Sequence, residues 1–175
     1  MISQEQYQKF LEAVTNDIEG DWVLVGGALM AVLIPNSRAT ADIDLCPIGE
    51  LTNERRISLM KLAQKSNLSI EAINPSADFF LRQIPQWQAS LVLFIKGTKG
   101  NLYRPSLELY IKMKSERATE SDISDCIAFW QWHTDNGLKY DSALIKDYLT
   151  QKIAQENQPQ KKKNLHRLLS FKDHA

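Results

Sequence analysis

Residues 22–45 read WVLVGGALMAVLIPNSRATADIDL, and this stretch decides the fold. Its first four residues, Trp22–Val25, form an apolar run that is typical of a short buried strand. Gly26 and Gly27 follow at once, and the apolar residues 28–33 have the character of a short helix. Residues 41–46 then return as a second apolar strand. This order of strand, two glycines, helix and strand is typical of an α/β domain.

Two aspartates, Asp42 and Asp44, lie one residue apart in the second strand. Alternate residues of a strand point to the same face, so we expect the two carboxylates side by side while Ile43 and Leu45 face the core. Two like charges held together on a half-buried strand are costly unless something neutralises them. A divalent cation is the simplest explanation, and hard oxygen ligands suit Mg²⁺.

The remaining patterns predict strands early in the chain and helices late in it. We expect an α/β (α+β) protein that has a small mixed β-sheet with flanking helices, a core over residues 1–135 and a helical C-terminal extension over residues 136–175. The expected segments are helices near 3–18, 53–65 and 77–83, strands at 68–73, 90–96 and 101–104 with a turn at 97–100, helices at 106–116, 119–133 and 142–156, and a basic amphipathic end piece from residue 161.

Composition limits the function classes. The chain has 175 residues, which suits one domain or one domain with a small appendage, and its formal net charge is zero, so no global field favours nucleic acid or membrane. The two cysteines, Cys46 and Cys126, lack metal-site spacing. We expect buried free thiols, with a disulfide left open as the alternative. No leader-like or membrane-spanning stretch stands out, so we expect a soluble cytoplasmic protein without a membrane partner.

The pattern over residues 20–46 resembles the nucleotidyltransferase superfamily, whose signature is an apolar strand, Gly-Gly or Gly-Ser, a helix, and acid-x-Asp on the next strand. The Arg38-x-Thr40 lead-in and a weaker second match over Leu107–Asp125 are similar to the toxin-like branch, which includes abortive-infection toxins. The resemblance implies a nucleotidyltransferase-like fold. It also implies Mg²⁺-dependent transfer of a nucleoside monophosphate from an NTP to an acceptor hydroxyl, with tRNA, a protein or a small molecule as acceptor and an antitoxin protein as a further partner.

Physical chemistry agrees with the roles that the resemblance implies. Asp42 and Asp44 would hold one or two Mg²⁺ ions, and Gly26 and Gly27 would let the backbone and the following helix N-terminus approach a triphosphate. The further nucleotide-binding candidates are Arg38, Thr40 and Lys114. Each has a structural alternative: a surface salt bridge for Arg38, a β-branched strand residue for Thr40, and a partly buried stem with an exposed ammonium for Lys114.

Three further acids have open roles. Glu71, on the expected strand at 68–73, is the candidate for a third metal ligand. Asp122 lies three residues after Thr119, so capping of a helix competes with a catalytic role. Asp125 either orients a cation such as Lys114 or faces solvent. The alternatives to an enzyme are a non-catalytic nucleotide- or partner-binding module on the same fold, and a different α/β fold with a calcium or structural site at the two aspartates.

Overall fold

The computed structural model describes residues 4–34, 40, 42–75 and 77–171. Within them the elements are α1 (Gln4–Asp17), β1 (Trp22–Val25), α2 (Gly26–Leu33), β2 (Ile43–Pro47), α3 (Asn53–Lys65), a 3-10 turn (Ile70–Ala72), β3 (Ile73–Asn74), α4 (Phe79–Arg82), a second 3-10 turn (Trp87–Ser90), β4 (Leu91–Lys96), β5 (Asn101–Pro105), α5 (Leu107–Arg117), α6 (Glu120–Asp135), α7 (Ser142–Gln155) and α8 (Pro159–Leu169). None of the helices in these ranges is both long enough and apolar enough to cross a membrane.

The strands form one mixed sheet in the order β3-β2-β1-β5-β4. β1 pairs antiparallel with β2 and parallel with β5, while β3 is parallel to β2 and β4 is antiparallel to β5. The sheet with its flanking helices confirms the predicted α/β (α+β) class. In the β1–β2 register, Val25 lies opposite Asp44, so the end of β1 meets the acidic part of β2.

Contacts divide the chain into two compact units. The first, here called the sheet unit, comprises residues 1–79 and 91–105, and the second, the helical unit, comprises residues 80–90 and 106–175. In the helical unit, α5 contacts α6 and α7, and α8 contacts α6 and α7. The division into 1–135 and 136–175 stays a prediction, because contacts alone do not show which segments fold independently.

The sheet unit is held together by a regular apolar stripe and a tight hairpin. α1 buries Tyr7, Phe10, Leu11 and Val14 at the helical spacing that the sequence predicts. The turn between β4 and β5, expected at 97–100, lies against the end of α1. The amides of Lys99 and Gly100 both donate to the Thr15 carbonyl at 3.1 Å. A Cβ at Gly97 would lie 2.5 Å from the carbonyl carbon of Thr15, so this approach requires glycine.

The prediction of a strand at residues 68–73 is wrong. Residues 70–72 form a 3-10 turn, and β3 contains only Ile73 and Asn74. Asn67 has φ +55°, in the left-handed region, and the amide of Leu68 bonds back to the carbonyl of Ala63. Leu68 is buried there, so its apolar side chain belongs to the end of α3 and not to a strand. Pro75, which has no N–H, follows β3.

For helix α3, the sequence alone predicts Asn53 as the cap and a core face of Ile57, with Met60 or Leu59, and Ala63. The side chain of Thr52, rather than that of Asn53, accepts from the amide of Arg55 and caps the helix. Ile57 is 52% exposed, and the buried residues are Leu59, Leu62 and Ala63. Both cysteines are buried and free, as predicted.

Candidate functional site

Gly26 marks the point where β1 ends and α2 begins. Its φ of +70° lies in the left-handed region that favours glycine, and a Cβ there would lie 2.8 Å from the Cγ of Asp44 and closer still to Oδ2. Glycine is therefore required twice, for the backbone conformation and for the approach to the carboxylate. Gly27 is buried in the first turn of α2. Val25, the N-cap residue, has no side-chain acceptor for the first helical amides.

Asp44 lies in the middle of this arrangement. It is half-buried on β2, between the fully buried Ile43 and Leu45, which confirms the predicted alternation. The Nδ2 of Asn74, directly across in the β2–β3 register, donates to Oδ1 of Asp44 at 2.9 Å. The carboxylate thus has Asn74 at one oxygen and the Gly26 backbone beside the other. This geometry fixes the orientation of the acid at the end of β1.

Asp42 precedes β2, which begins at Ile43. The prediction that Asp42 lies within a strand starting at residue 41 is therefore wrong, and residue 41 itself lies outside the described residues. Asp42 is exposed. Its amide donates to Oγ1 of Thr40 at 3.3 Å, and the hydroxyl of Tyr7 donates to the carbonyl of Thr40 at 3.0 Å. Burial, and secondarily the negative charge of Asp42, raise the pKa of Tyr7. Thr40 therefore shapes the turn that carries Asp42.

The structure does not join Glu71 to this group. Glu71 is exposed in the 3-10 turn and not on a strand, so the position assumed for a third ligand is wrong. Arg38 lies outside the described residues. Among the side chains that the structure describes, no group of three or more His, Cys, Asp and Glu residues is placed to hold a metal ion. Sequence reasoning missed Asn74, whose only signal is a polar residue between Ile73 and Pro75.

By its chemistry, a pair of carboxylates such as those of Asp42 and Asp44 suits a Mg²⁺ ion. Mg²⁺ keeps several waters and is usually held by one or two carboxylates together with the phosphates of its substrate. The bare backbone at Gly26 lets the carboxylate of Asp44 lie against the start of α2, because a Cβ there would overlap Oδ2 of Asp44. The two carboxylates alone therefore suit an ion that arrives with a nucleotide, rather than a resident ion in a closed protein cage.

Lys114 belongs to a buried cluster in the helical unit. Its Nζ lies 3.0 Å from Oδ1 of Asp122 and 3.1 Å from Oδ2 of Asp125, and the three residues are 7%, 0% and 3% exposed. Arg117 adds a bond to Oδ1 of Asp122 at 2.6 Å. Thr119 and Asp122 form a capping box at the start of α6. The capping role of Asp122 is therefore present, and Asp125 orients Lys114. A role for Lys114 and Asp122 in nucleotide chemistry stays a prediction.

The pKa of Asp122 results from opposing effects. Burial raises it, but the hydrogen bond from Thr119, the charge of Lys114 and the hydrogen bonds from Lys114 and Arg117 together lower it below its usual range. The ionised form of Asp122 is therefore favoured in the folded protein. Burial also raises the pKa of the neighbouring Cys126 thiol far above its usual value, so this cysteine is a packed, unreactive group.

Comparisons of the chain with protein-family models, with curated proteins and with solved structures found no match.

Proposed function

We propose that the sheet unit is a Mg²⁺-dependent nucleotidyltransferase that moves a nucleoside monophosphate from an NTP onto an acceptor hydroxyl. The observation that supports this most is the approach of Gly26 to Asp44, since it places a fixed carboxylate beside the N-terminal end of α2. A metal-bound triphosphate needs both, because the phosphates must approach the backbone while the acid holds the ion. The exposed Asp42 supplies a second carboxylate two residues away.

The chain's own residues would divide the work between binding and orientation. Asp42 and Asp44 would hold the metal, and Asn74 would keep Oδ1 of Asp44 in place. Because α2 begins at Gly26, its N-terminal amides would favour the negative charge of the phosphates. The bound ion would neutralise phosphate oxygens and lower the pKa of the attacking hydroxyl. Most of the rate gain would come from positioning and electrostatics.

The acceptor is proposed by chemical class only. A hydroxyl of tRNA, of a protein side chain or of a small molecule could serve as the acceptor. The resemblance to the toxin-like branch favours a growth-inhibiting role for this chain itself, with an antitoxin protein as its partner in the cytoplasm. Label transfer separates these classes directly, because the labelled product is an RNA, a protein or a small molecule.

The test is an incubation of the full chain with Mg²⁺ and each α-labelled NTP, with and without total tRNA. We expect label in one acceptor class and release of pyrophosphate, both lost in Asp42→Asn and Asp44→Asn. Asp147→Asn is the matched control, since Asp147 is an exposed acid on α7. The proposal fails if the wild-type chain transfers no label and releases no pyrophosphate, or if Asp44→Asn is as active as the wild type.

A nucleotide-binding module without turnover is the second candidate. It is favoured by the exposure of Glu71 and by the lack, among the described residues, of a third acid beside Asp42 and Asp44. Isothermal titration distinguishes the two functions. Tight NTP binding that is unchanged in Asp42→Ala, together with no product, would favour the module over the enzyme. Binding that requires Mg²⁺ and is weakened in Asp42→Ala would favour the enzyme.

A further inference from the structure

A pocket of about 670 Å³ lies within the helical unit, where the turn between α5 and α6 meets the start of α8. Its lining includes Arg117 from the end of α5, Thr119 and Glu120 from the start of α6, and Lys161 and Lys163 from α8. Three of these side chains are cationic and one is acidic. All of these lining residues belong to the helical unit, whereas Asp42, Asp44 and Asn74 belong to the sheet unit.

The charged side chains of α8 are predominantly of one sign, which is positive. The helix reads PQKKKNLHRLL over residues 159–169 and contains four Lys and Arg residues and no Asp or Glu. Two of its three leucines, Leu165 and Leu168, are fully buried, so the basic residues lie on the other faces of the helix. The zero net charge of the whole chain thus hides a local excess of positive charge, which is what attracts a polyanion.

Two of the pocket's cations are held in place by hydrogen bonds. Arg117 donates to the buried Asp122 at 2.6 Å while its side chain remains 53% exposed. Lys161 donates to the carbonyl of Glu116 at 3.3 Å. Asn164, which is buried, donates to the carbonyl of Ala118 at 2.8 Å and so ties α8 to the α5–α6 turn. Cations that are already ordered lose less conformational entropy when a ligand binds.

The polarity of two helices adds to these charges. α6 has 16 residues and begins at Glu120, and α8 has 11 residues and begins at Pro159, so both start beside the pocket. The N-terminal end of a helix carries a partial positive charge. Glu120, the link from Arg117 to Asp122, and the charge of Glu156 near Lys161 offset part of the positive charge. Lys161 and Lys163 are the lining cations outside the link to Asp122.

We infer that this pocket binds the phosphodiester backbone of a single-stranded nucleic acid. Fixed cations and helix N-termini recognise phosphate, and a volume of about 670 Å³ accommodates more than one phosphate group. The described lining contains no aromatic residue, and the ring of Phe80 lies 5.9 Å from the guanidinium of Arg117, which it contacts as a cation–π pair. Recognition is therefore of the backbone, tolerant of sequence and strongly weakened by salt. The inference does not rest on the transfer chemistry proposed for the sheet unit.

Fluorescence anisotropy of the full chain with labelled RNA and DNA oligonucleotides of about 20 residues, longer than a usual site of ~4–16, tests the inference. The variant is Lys161→Gln/Lys163→Gln, and the matched control is Lys139→Gln/Lys146→Gln, which removes two exposed lysines elsewhere in the helical unit. We expect the pocket variant to raise the Kd by about tenfold and to reduce the salt slope by ~1.4, the value for two lost single-strand phosphate contacts. The control should change the Kd by less than about twofold.

Three results would overturn the inference: no binding of either oligonucleotide by the wild-type chain at low salt, equal losses in the pocket and control variants, or displacement of the oligonucleotide by millimolar ATP or inorganic phosphate. The last would identify a small-anion site. Equal urea midpoints of the two variants and the wild type would show that the lost binding reflects the charges and not unfolding. Binding that survives in Asp44→Asn would separate this pocket from the proposed enzyme.

Discussion

An alanine at position 26 in place of Gly26 would have a strained backbone, and its methyl group would clash with a carboxylate. Gly137 has a similar φ of +61°, but nothing lies within 4 Å of a Cβ there, so Gly137→Ala measures strain alone. We expect Gly137→Ala to cost about 1–2 kcal/mol. Gly26→Ala should cost more, because the methyl group must displace Asp44. Urea unfolding of the two variants checks this, and equal losses would mean that the approach of Gly26 to Asp44 is not tight.

Lys114 illustrates how a buried charge depends on its partners. Lys114→Met would remove the cation that the buried Asp122 and Asp125 share and would leave Arg117 on Asp122, and we expect a loss of about 3–5 kcal/mol in the free energy of unfolding. Lys9→Gln, which removes an exposed pair with Glu5, should leave stability unchanged and serves as the control.

A rescue variant tests whether the loss comes from uncompensated charge. Lys114→Met combined with Asp122→Asn and Asp125→Asn should recover part of the lost stability, because no charge then remains buried in the cluster. Denaturant midpoints of the single and triple variants give the comparison. A triple variant that is less stable than Lys114→Met would show that packing or helix capping, rather than charge, dominates the effect.

At the scale of elements, the shortest strand supports the proposed site. β3 contains two residues at the edge of the sheet, and its side-chain bond from Asn74 to Asp44 joins it to β2. If the proposed transferase function is correct, Asn74→Ala should lower activity by about 10–100-fold, the range for residues that orient metal ligands. Because this bond is exposed, the loss of stability should stay within about 1 kcal/mol.

The experiment measures kcat and the free energy of unfolding of each variant, and Asn74→Ala should lower kcat strongly while changing stability little. Asn53→Ala removes an exposed asparagine in the first turn of α3, where Thr52 is the cap, and should affect neither quantity strongly. The apparent affinity for Mg²⁺, measured from the rate against metal concentration, should weaken in Asn74→Ala only. If Asn74→Ala unfolds easily but keeps full activity per folded molecule, Asn74 has a purely structural role.

For the molecule as a whole, the change in the free energy of unfolding at acidic pH depends on Asp122. Its folded pKa is lowered, so its contribution is fully present above the unfolded pKa of about 3.9 and is lost as the pH falls through the lower folded pKa. The wild-type free energy of unfolding should therefore decrease as the pH falls below about 4. Urea unfolding across this range should show a shallower decrease in Asp122→Asn. Parallel curves would contradict the assignment.

The sequence alone determined the elements whose patterns are local. The apolar run of Trp22–Val25, the glycines after it and the alternation around Asp44 predicted β1, α2 and β2, because burial on one face requires a fixed periodicity. The hairpin at 97–100 was equally predictable, since glycine marks a turn wherever it lies between two strand-like runs. The capping box at Thr119 was visible in spacing alone.

Only the tertiary structure decided which residues meet across elements. Asn74 reaches Asp44 because β3 pairs with β2 in parallel, and Glu71 does not because its segment turns before the strand begins. Strand register and helix packing depend on contacts between segments far apart in the chain, which leave no local period to read. For the same reason, the basic tail was visible in the sequence, but its pocket with Arg117 appeared only when α8 packed beside the α5–α6 turn.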